Sequence, residues 1–202
     1  METFRQLIRR GDTVIEVGGH MGYITQFFSK LVGPSGRVIV FEPGLNNLHY
    51  IEANVGGLSN VTLERAAVSS SDGKAILYED KITGQNNSLN PNYRGLCEVA
   101  SFHGVGVEQI PHEVPTVQLD SYMAAHGIKP DFLKIDVEGL ELEVLRGASN
   151  TLHIVRELVV EVTENKTEVV SLLRDAGFAL VFQSSANVVG VRQTESISGS
   201  ES

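Results

Sequence analysis

Apolar positions along the chain follow two alternating rhythms. Five short runs, Thr13–Val17, Arg37–Phe41, Val61–Glu64, Asp131–Val137 and Leu158–Val162, are apolar at half or more of their positions. Runs of that length and character predict strands buried on both faces. Between them the apolar residues recur at helical spacing. Tyr23–Leu31 places Ile24, Phe27, Phe28 and Leu31 on one face, and Leu45–Asn54 leads with Leu48, Ile51 and Val55. Leu140–Leu152 does the same with Leu142, Leu145, Ala148 and Leu152; Lys166–Ala176 is a further helix, stopped by Gly177. Met1–Arg10 reads as a short amphipathic helix with Phe4, Leu7 and Ile8 inward. Phe178–Gln183 and Asn187–Arg192 read as a closing antiparallel pair around Ser184–Ala186. Strand and helix alternate from Thr13 to Glu64, which predicts an open parallel sheet with right-handed crossovers. The fold class is therefore α/β, a Rossmann-like parallel sheet with helices on both faces and a C-terminal antiparallel strand pair.

The middle of the chain is less regular. Ala66–Val68 leads to a turn at Ser69–Gly73, Ala75–Tyr78 is a strand, and Val114–Leu119 alternates weakly, as an edge strand does. Asp120 is placed to cap a short helix through Ala125, ended by Gly127. Lys81–His112 has little periodicity and many Asn, Gly, Gln and His residues, so it reads as a long insertion, functional or mobile. No internal repeat or linker divides the chain. One domain is expected over residues 1–193, followed by a disordered Ser/Glu/Gly-rich tail over 194–202.

Charge and composition narrow the partners. The net charge is −9 and the basic residues are scattered, which argues against nucleic acid and anionic membranes but not against a cationic ligand. A single cysteine, Cys97, excludes an intramolecular disulfide framework and suits a reducing compartment. There is no run of 18 apolar residues and no signal-like start, so a soluble, cytoplasmic protein is expected, of unassigned oligomeric state.

Four of the predicted strands carry an acid at or near their C-terminal ends: Glu16, Glu42, Asp136 and Glu161. Open parallel sheets bind ligands at that edge. A buried carboxylate is unfavourable by several kcal/mol, roughly 2–7 on polar-transfer scales, unless something pairs with it. If the strand of Glu42 neighbours that of Glu16, and those of Asp136 and Glu161 follow on the other side, the acids share one rim. Glu42 stands 20 residues after Gly22 and ends the second strand, where an acid accepts the hydroxyls of an adenosine ribose. The turn Gly18-Gly-His-Met-Gly22 decides among nucleotides. It fails the dinucleotide spacing G-x-G-x-x-G from either Gly18 or Gly19, and no phosphate-cradling Gly-Lys-Ser/Thr occurs. Glu16 ahead of it repels a pyrophosphate and attracts a cationic arm. The ligand that fits is S-adenosylmethionine (SAM), which carries a ribose and a positive amino-acid arm. An NAD(P)-dependent oxidoreductase and a non-catalytic SAM-binding module are the alternatives.

These residues resemble a known family. Glu16-Val-Gly-Gly-His-Met-Gly22 looks like the first motif of class I SAM-dependent methyltransferases, and Phe41-Glu-Pro43 like their ribose-binding acid. Phe132-Leu-Lys-Ile-Asp-Val-Glu-Gly-Leu-Glu-Leu-Glu-Val-Leu-Arg-Gly-Ala148 is very similar to the hallmark stretch of the FkbM-type methyltransferases. The family usually has Asp at position 16 and Ala-Asn at 19–20, where this chain has Glu16, Gly19 and His20. The resemblance implies the class I methyltransferase fold and methyl transfer from SAM, most simply to a hydroxyl of a small molecule or sugar. It places Glu16, Gly18 and Gly22 around the methionine arm, with Gly19, His20 and Tyr23 completing the turn. It gives the ribose to Glu42, with Pro43 shaping the turn, and sets Ala67 and Val68 near the adenine. Ser88, beside Asn87, closes over the cofactor. Asp136 and Glu138 lie beside the methyl group as the catalytic pair, Asp136 also touching the cofactor. The two acids are two apart, so extended chain points both to one side; they suit a base and an acceptor anchor better than a metal site shared with Glu161. No metal is expected. Lys134 is expected to neutralise a neighbouring acid rather than take part in catalysis.

Overall fold

The computed structural model describes residues 1–192 except 82, 105, 107 and 185. The tail expected over 194–202 lies outside the described residues. Seven strands form the main sheet in the order β3-β2-β1-β7-β8-β10-β9. They are β1 Thr13–Val17, β2 Arg37–Phe41, β3 Val61–Glu64, β7 Phe132–Ile135, β8 Glu157–Glu161, β9 Phe178–Phe182 and β10 Asn187–Arg192. The first five named are mutually parallel where they pair; β10 runs antiparallel between β8 and β9. The expected sheet and closing pair are both present.

Alternate residues of each strand serve opposite faces. Val14, Val38, Phe132 and Val159 pack with Phe28 and Val32 of α2 (Tyr23–Val32), Ile8, and Phe4 of α1 (Glu2–Leu7). Val40 on the same face meets Leu48, Ile51 and Val55 of α3 (Leu45–Val55). Ile15, Ile39, Leu133 and Leu158 pack on the other face against Leu119 and Met123 of α5 (Leu119–His126) and Val169 and Leu173 of α8 (Lys166–Asp175). Doubly covered strands of this kind must be continuously apolar, which is why the periodicity was readable.

Four expectations are corrected. Leu140–Leu152 is two helices, α6 (Glu141–Arg146) and α7 (Ser149–Ile154). Gly147 lies between them with its α-carbon against the Ser69 carbonyl; any side chain there would overlap that oxygen. Asp120 does not begin a helix. It lies inside α5, and its carboxylate accepts the Asn150 and Thr151 amides, at 2.8 and 2.7 Å, at the start of α7. Val114–Leu119 is not an edge strand. Its first four residues belong to β6 (Gln109–Val117), the middle of a second sheet β4-β6-β5, with β4 Ala67–Val68 and β5 Gly73–Asp80, and Leu119 already opens α5. The stretch Lys81–His112 is not structureless, since it contains α4 (Arg94–His103) and the first half of β6. Pro111 and Pro115 interrupt the donor pattern of β6 and hide it from a periodicity argument, while β5 supplies an eight-residue antiparallel register.

Candidate active site

At the C-terminal edge of β1, β2, β7 and β8 the chain encloses a cavity of about 350 Å³. The second sheet and the insertion close its far side through Ala67, Val68, Leu77, Gly84, Gln85, Asn87, Ser88 and Leu89. Its lining includes four carboxylates, Glu42, Asp136, Glu138 and Glu161, and no Lys or Arg among the described residues.

The glycine turn after β1 is wedged between two neighbouring strands. The Gly18 and Gly19 amides both donate to the Phe41 carbonyl at 3.1 Å, and the Asp136 amide donates to Val17 O at 3.0 Å. Gly18 adopts φ +88°, and a Cβ there would overlap the Asp136 carbonyl oxygen. Only glycine permits that approach of the β1 and β7 turns. His20 also has positive φ, 48°, which is rare for a residue with a side chain. The strained position lets its amide donate to Glu42 Oε2 at 2.7 Å. Its ring lines the cavity, and Nε2 is buried with no hydrogen-bond partner. Burial holds the imidazole below its ordinary pKa.

Glu42 follows β2 and is 4% exposed. Besides the His20 amide it accepts the Gly44 amide at 2.8 Å and Asn47 Nδ2 at 3.2 Å, both on Oε1. Burial outweighs these donors and pushes the carboxyl up to about 7. Asn47 also donates to the Gly84 carbonyl at 3.0 Å, and Asn46 and Asn87 pair through their amides, so α3 fastens the insertion over the cavity.

Glu16 and Lys134 face one another in the β1–β7 register, on the α2 side of the sheet. Glu16 is fully buried and lies beneath the cavity rather than in its lining. Its Oε2 accepts Thr25 Oγ1 at 2.7 Å, and its Oε1 lies 3.4 Å from Lys134 Nζ. Burial raises the Glu16 pKa, opposed by Lys134. Lys134 Nζ also reaches Asp136 Oδ2 and the Gly18 carbonyl, each at 3.1 Å. The lysine thus neutralises two acids at once, as the sequence suggested, and ties the floor to the rim.

On the opposite side of the mouth, Glu138 Oε2 accepts the Tyr93 hydroxyl. Burial, together with Asp136, Glu161 and Glu141, pushes Glu138 up to about 7 against the lowering effect of that bond. Burial likewise raises Glu161, with Asp136 adding to it.

Among the residues expected at the site, Gly18, His20, Glu42, Pro43, Ala67, Val68, Ser88, Asp136 and Glu138 line one cavity. Gly19 is packed instead against Val40 and Ile51, Gly22 against Ile51 and Val55, and Tyr23 points outward, 64% exposed. The sequence reading passed over Asn47, Gln85 and Tyr93. Asn47 stands five residues beyond Glu42 on the following helix, a spacing that could have flagged it. Tyr93 and Gln85 lie in the aperiodic insertion, where nothing local distinguishes them. Among the described residues no group of three or more His, Cys, Asp and Glu side chains is arranged to hold a metal ion.

Comparison with known proteins agrees with this architecture. A family model described as the methyltransferase FkbM domain matches residues 16–180. "Methyltransferase 1" of Beauveria bassiana is 24% identical over 193 residues, covering 84% of this chain and 73% of that protein. The hexuronic acid methyltransferase AglP of Haloferax volcanii is 26% identical over 185 residues, covering 84% and 70%. Among solved structures, Aeropyrum pernix fibrillarin with S-adenosyl-L-methionine bound superposes with a TM-score of 0.53 at 13% identity, covering 92% of this chain and 68% of that one. A SAM-dependent O-methyltransferase from Thermotoga maritima gives 0.51 at 12% identity, covering 96% and 64%. The shared fold is that of the class I methyltransferases.

Proposed function

The chain belongs to the FkbM methyltransferase family, and from that premise we propose that it methylates a hydroxyl of a small molecule or sugar, using SAM. The observation that carries this reading is Glu42, a buried carboxylate at the end of β2 in a cavity with no Lys or Arg in its described lining. Such a lining suits a ribose and a cationic arm and opposes a pyrophosphate.

When bound, SAM supplies an electrophilic methyl group on a sulfonium, a good leaving group. The chain's part is to hold and align. Glu42 would take the ribose hydroxyls, its carboxylate already fixed by the His20 and Gly44 amides. Ala67, Val68, Leu77 and Leu89 offer an apolar slot for the adenine. Gly18, His20 and Asp136 would meet the methionine arm, His20 through its unpartnered Nε2. Gly19, Gly22 and Tyr23 would shape the turn without touching the ligand, and Glu16 would act from below through Lys134. Glu138 would accept the proton of the acceptor hydroxyl. A carboxyl near 7 is a far better proton acceptor at neutral pH than one at 4.5.

A relative that methylates hexuronic acid supports a sugar-like acceptor. The acidic mouth disfavours an anionic group beside the reacting hydroxyl, so among sugars it argues for a neutral or amino sugar over a uronic acid. Calorimetry with SAM and with NADH tests the cofactor: SAM binds and NADH does not. Glu42→Ala weakens SAM by roughly 100-fold, about 3 kcal/mol, the scale of hydrogen bonds to a charged group. Unchanged affinity sinks the ribose assignment. Transfer of labelled methyl from SAM to a panel of neutral, amino and uronic sugars then tests the acceptor class.

A further inference from the structure

The insertion grips the turn after β7 at a single residue, Glu138, and does so twice. Ser88 Oγ donates to the Glu138 backbone carbonyl at 2.6 Å, and the Tyr93 hydroxyl donates to its carboxylate. Both gripping residues are themselves fixed. Ser88 exchanges backbone hydrogen bonds with Tyr78 of β5, at 2.8 and 3.2 Å, and its Oγ accepts the Asn90 amide at 3.0 Å. The Tyr93 amide donates to the Asn90 carbonyl at 3.2 Å. Tyr93 is 6% exposed although its segment is polar, and its ring lies against Gly139, where a Cβ would come within 3.0 Å of Cδ2. A tyrosine buried in this manner orders a long loop, which is entropically unfavourable unless the ordering does something. Here it fixes one carboxylate at the mouth of the cavity.

We propose that Tyr93 is a positioning residue for Glu138: it occupies Oε2 and leaves Oε1 as the oxygen that receives the acceptor's proton. This rests on the methyltransferase reading above. The proton of the acceptor hydroxyl passes to Oε1, and the electrons of that O–H bond become available for the new carbon–oxygen bond, formed as the methyl–sulfur bond breaks and its electron pair leaves on sulfur as a neutral thioether. Tyr93 keeps its own proton throughout, because burial and the Glu138 carboxylate both push the phenol well above its ordinary pKa. Its hydrogen bond opposes the other influences on Glu138, namely burial and the charges of Asp136, Glu161 and Glu141. Without it, a smaller fraction of Glu138 would be ionised at neutral pH and ready to act as a base. The insertion is then part of the catalytic apparatus and not only a cover.

Carbon-13 labelling of glutamate carboxyls, read by NMR across pH, tests this without an acceptor. The Glu138 signal is the one that disappears in Glu138→Gln. In Tyr93→Phe its midpoint moves upward by about one pH unit, a ten-fold change in acidity, while SAM affinity stays as in the wild type. An unmoved midpoint overturns the proposal, and an unmoved midpoint with lost SAM affinity makes Tyr93 part of the cofactor pocket instead. If Tyr93→Phe does not fold, the reciprocal measurement decides. The Tyr93 ring Cζ resonance shifts in Glu138→Gln if the contact exists, and stays put if it does not. Absence of SAM binding by the wild-type protein would count against the methyltransferase reading alone, and the Glu138 titration would still judge the contact.

Discussion

Glu42 and Glu138 are the same residue type, and both have a pKa raised to about 7, yet their hydrogen bonds differ. Glu42 has both oxygens bonded to groups of the protein, two of them backbone amides, and is a rigid acceptor. Glu138 has a hydroxyl on one oxygen and sits at the cavity mouth. The difference predicts a split in kinetics. Glu138→Gln preserves shape and removes the base, so turnover falls roughly 10²–10⁴-fold, the usual range for general base catalysis. SAM affinity should change less than about two-fold, because Glu138 is not among the groups proposed to hold the cofactor. Steady-state kinetics beside calorimetry checks this; equal loss of both would place Glu138 in the cofactor pocket.

At the scale of elements, the site depends on how closely turns approach one another. The β1 and β7 turns meet at Gly18, and the segment after β4 meets the α6–α7 junction at Gly147. Gly147 has an ordinary φ of −79°, so backbone strain plays no part there. Local propensity alone predicts that Gly147→Ala stabilises the helical segment, by up to about 1 kcal/mol. The tertiary contact predicts the reverse, since the new methyl must displace the Ser69 carbonyl; overpacking of this kind destabilises by about 1–3 kcal/mol. Chemical denaturation should show a net loss. A gain would mean that α6 and α7 are free to merge, as the periodicity of Leu142, Leu145, Ala148 and Leu152 suggested.

For the whole molecule, the collected carboxylates set a pH dependence. Glu42 and Glu138 rise from 4.5 to about 7 on folding, so the folded state holds protons that the unfolded state has released. Their stabilising contribution is complete below pH 4.5 and is lost as pH rises through 7. Each group contributes on the order of 3 kcal/mol. Glu16 and Glu161 shift in the same direction. The ligand-free protein should therefore melt at progressively lower temperature from pH 5 to pH 8. SAM affinity should rise over the same interval, because ionised Glu42 accepts hydroxyl donors better and the acidic lining attracts the cation. Thermal melts with and without SAM check both trends, and Glu42→Gln flattens them.

The sequence by itself determined the parallel sheet, its helices and the row of acids at the strand ends. Buried strands must be apolar on both faces, and an acid in such a setting stands out by its chemistry alone. The turn at Gly18 and the buried acid at Glu42 were legible for the same reason: their positions are fixed by residues adjacent in sequence. What only the tertiary structure decided lies where partners are distant in the chain. Glu16 is turned to the sheet face of α2 and meets Lys134, 118 residues away, so it underlies the cavity instead of lining it. Asp120 caps a helix 30 residues on rather than its own. Tyr93 is joined to Glu138 across 45 residues, from a stretch with no periodicity to mark it. Hydrogen bonds of this kind leave no local pattern, because they depend on the path of the chain and not on the identity of its neighbours. The turn that follows β1 was visible from the start, and the group that holds the proposed base was not.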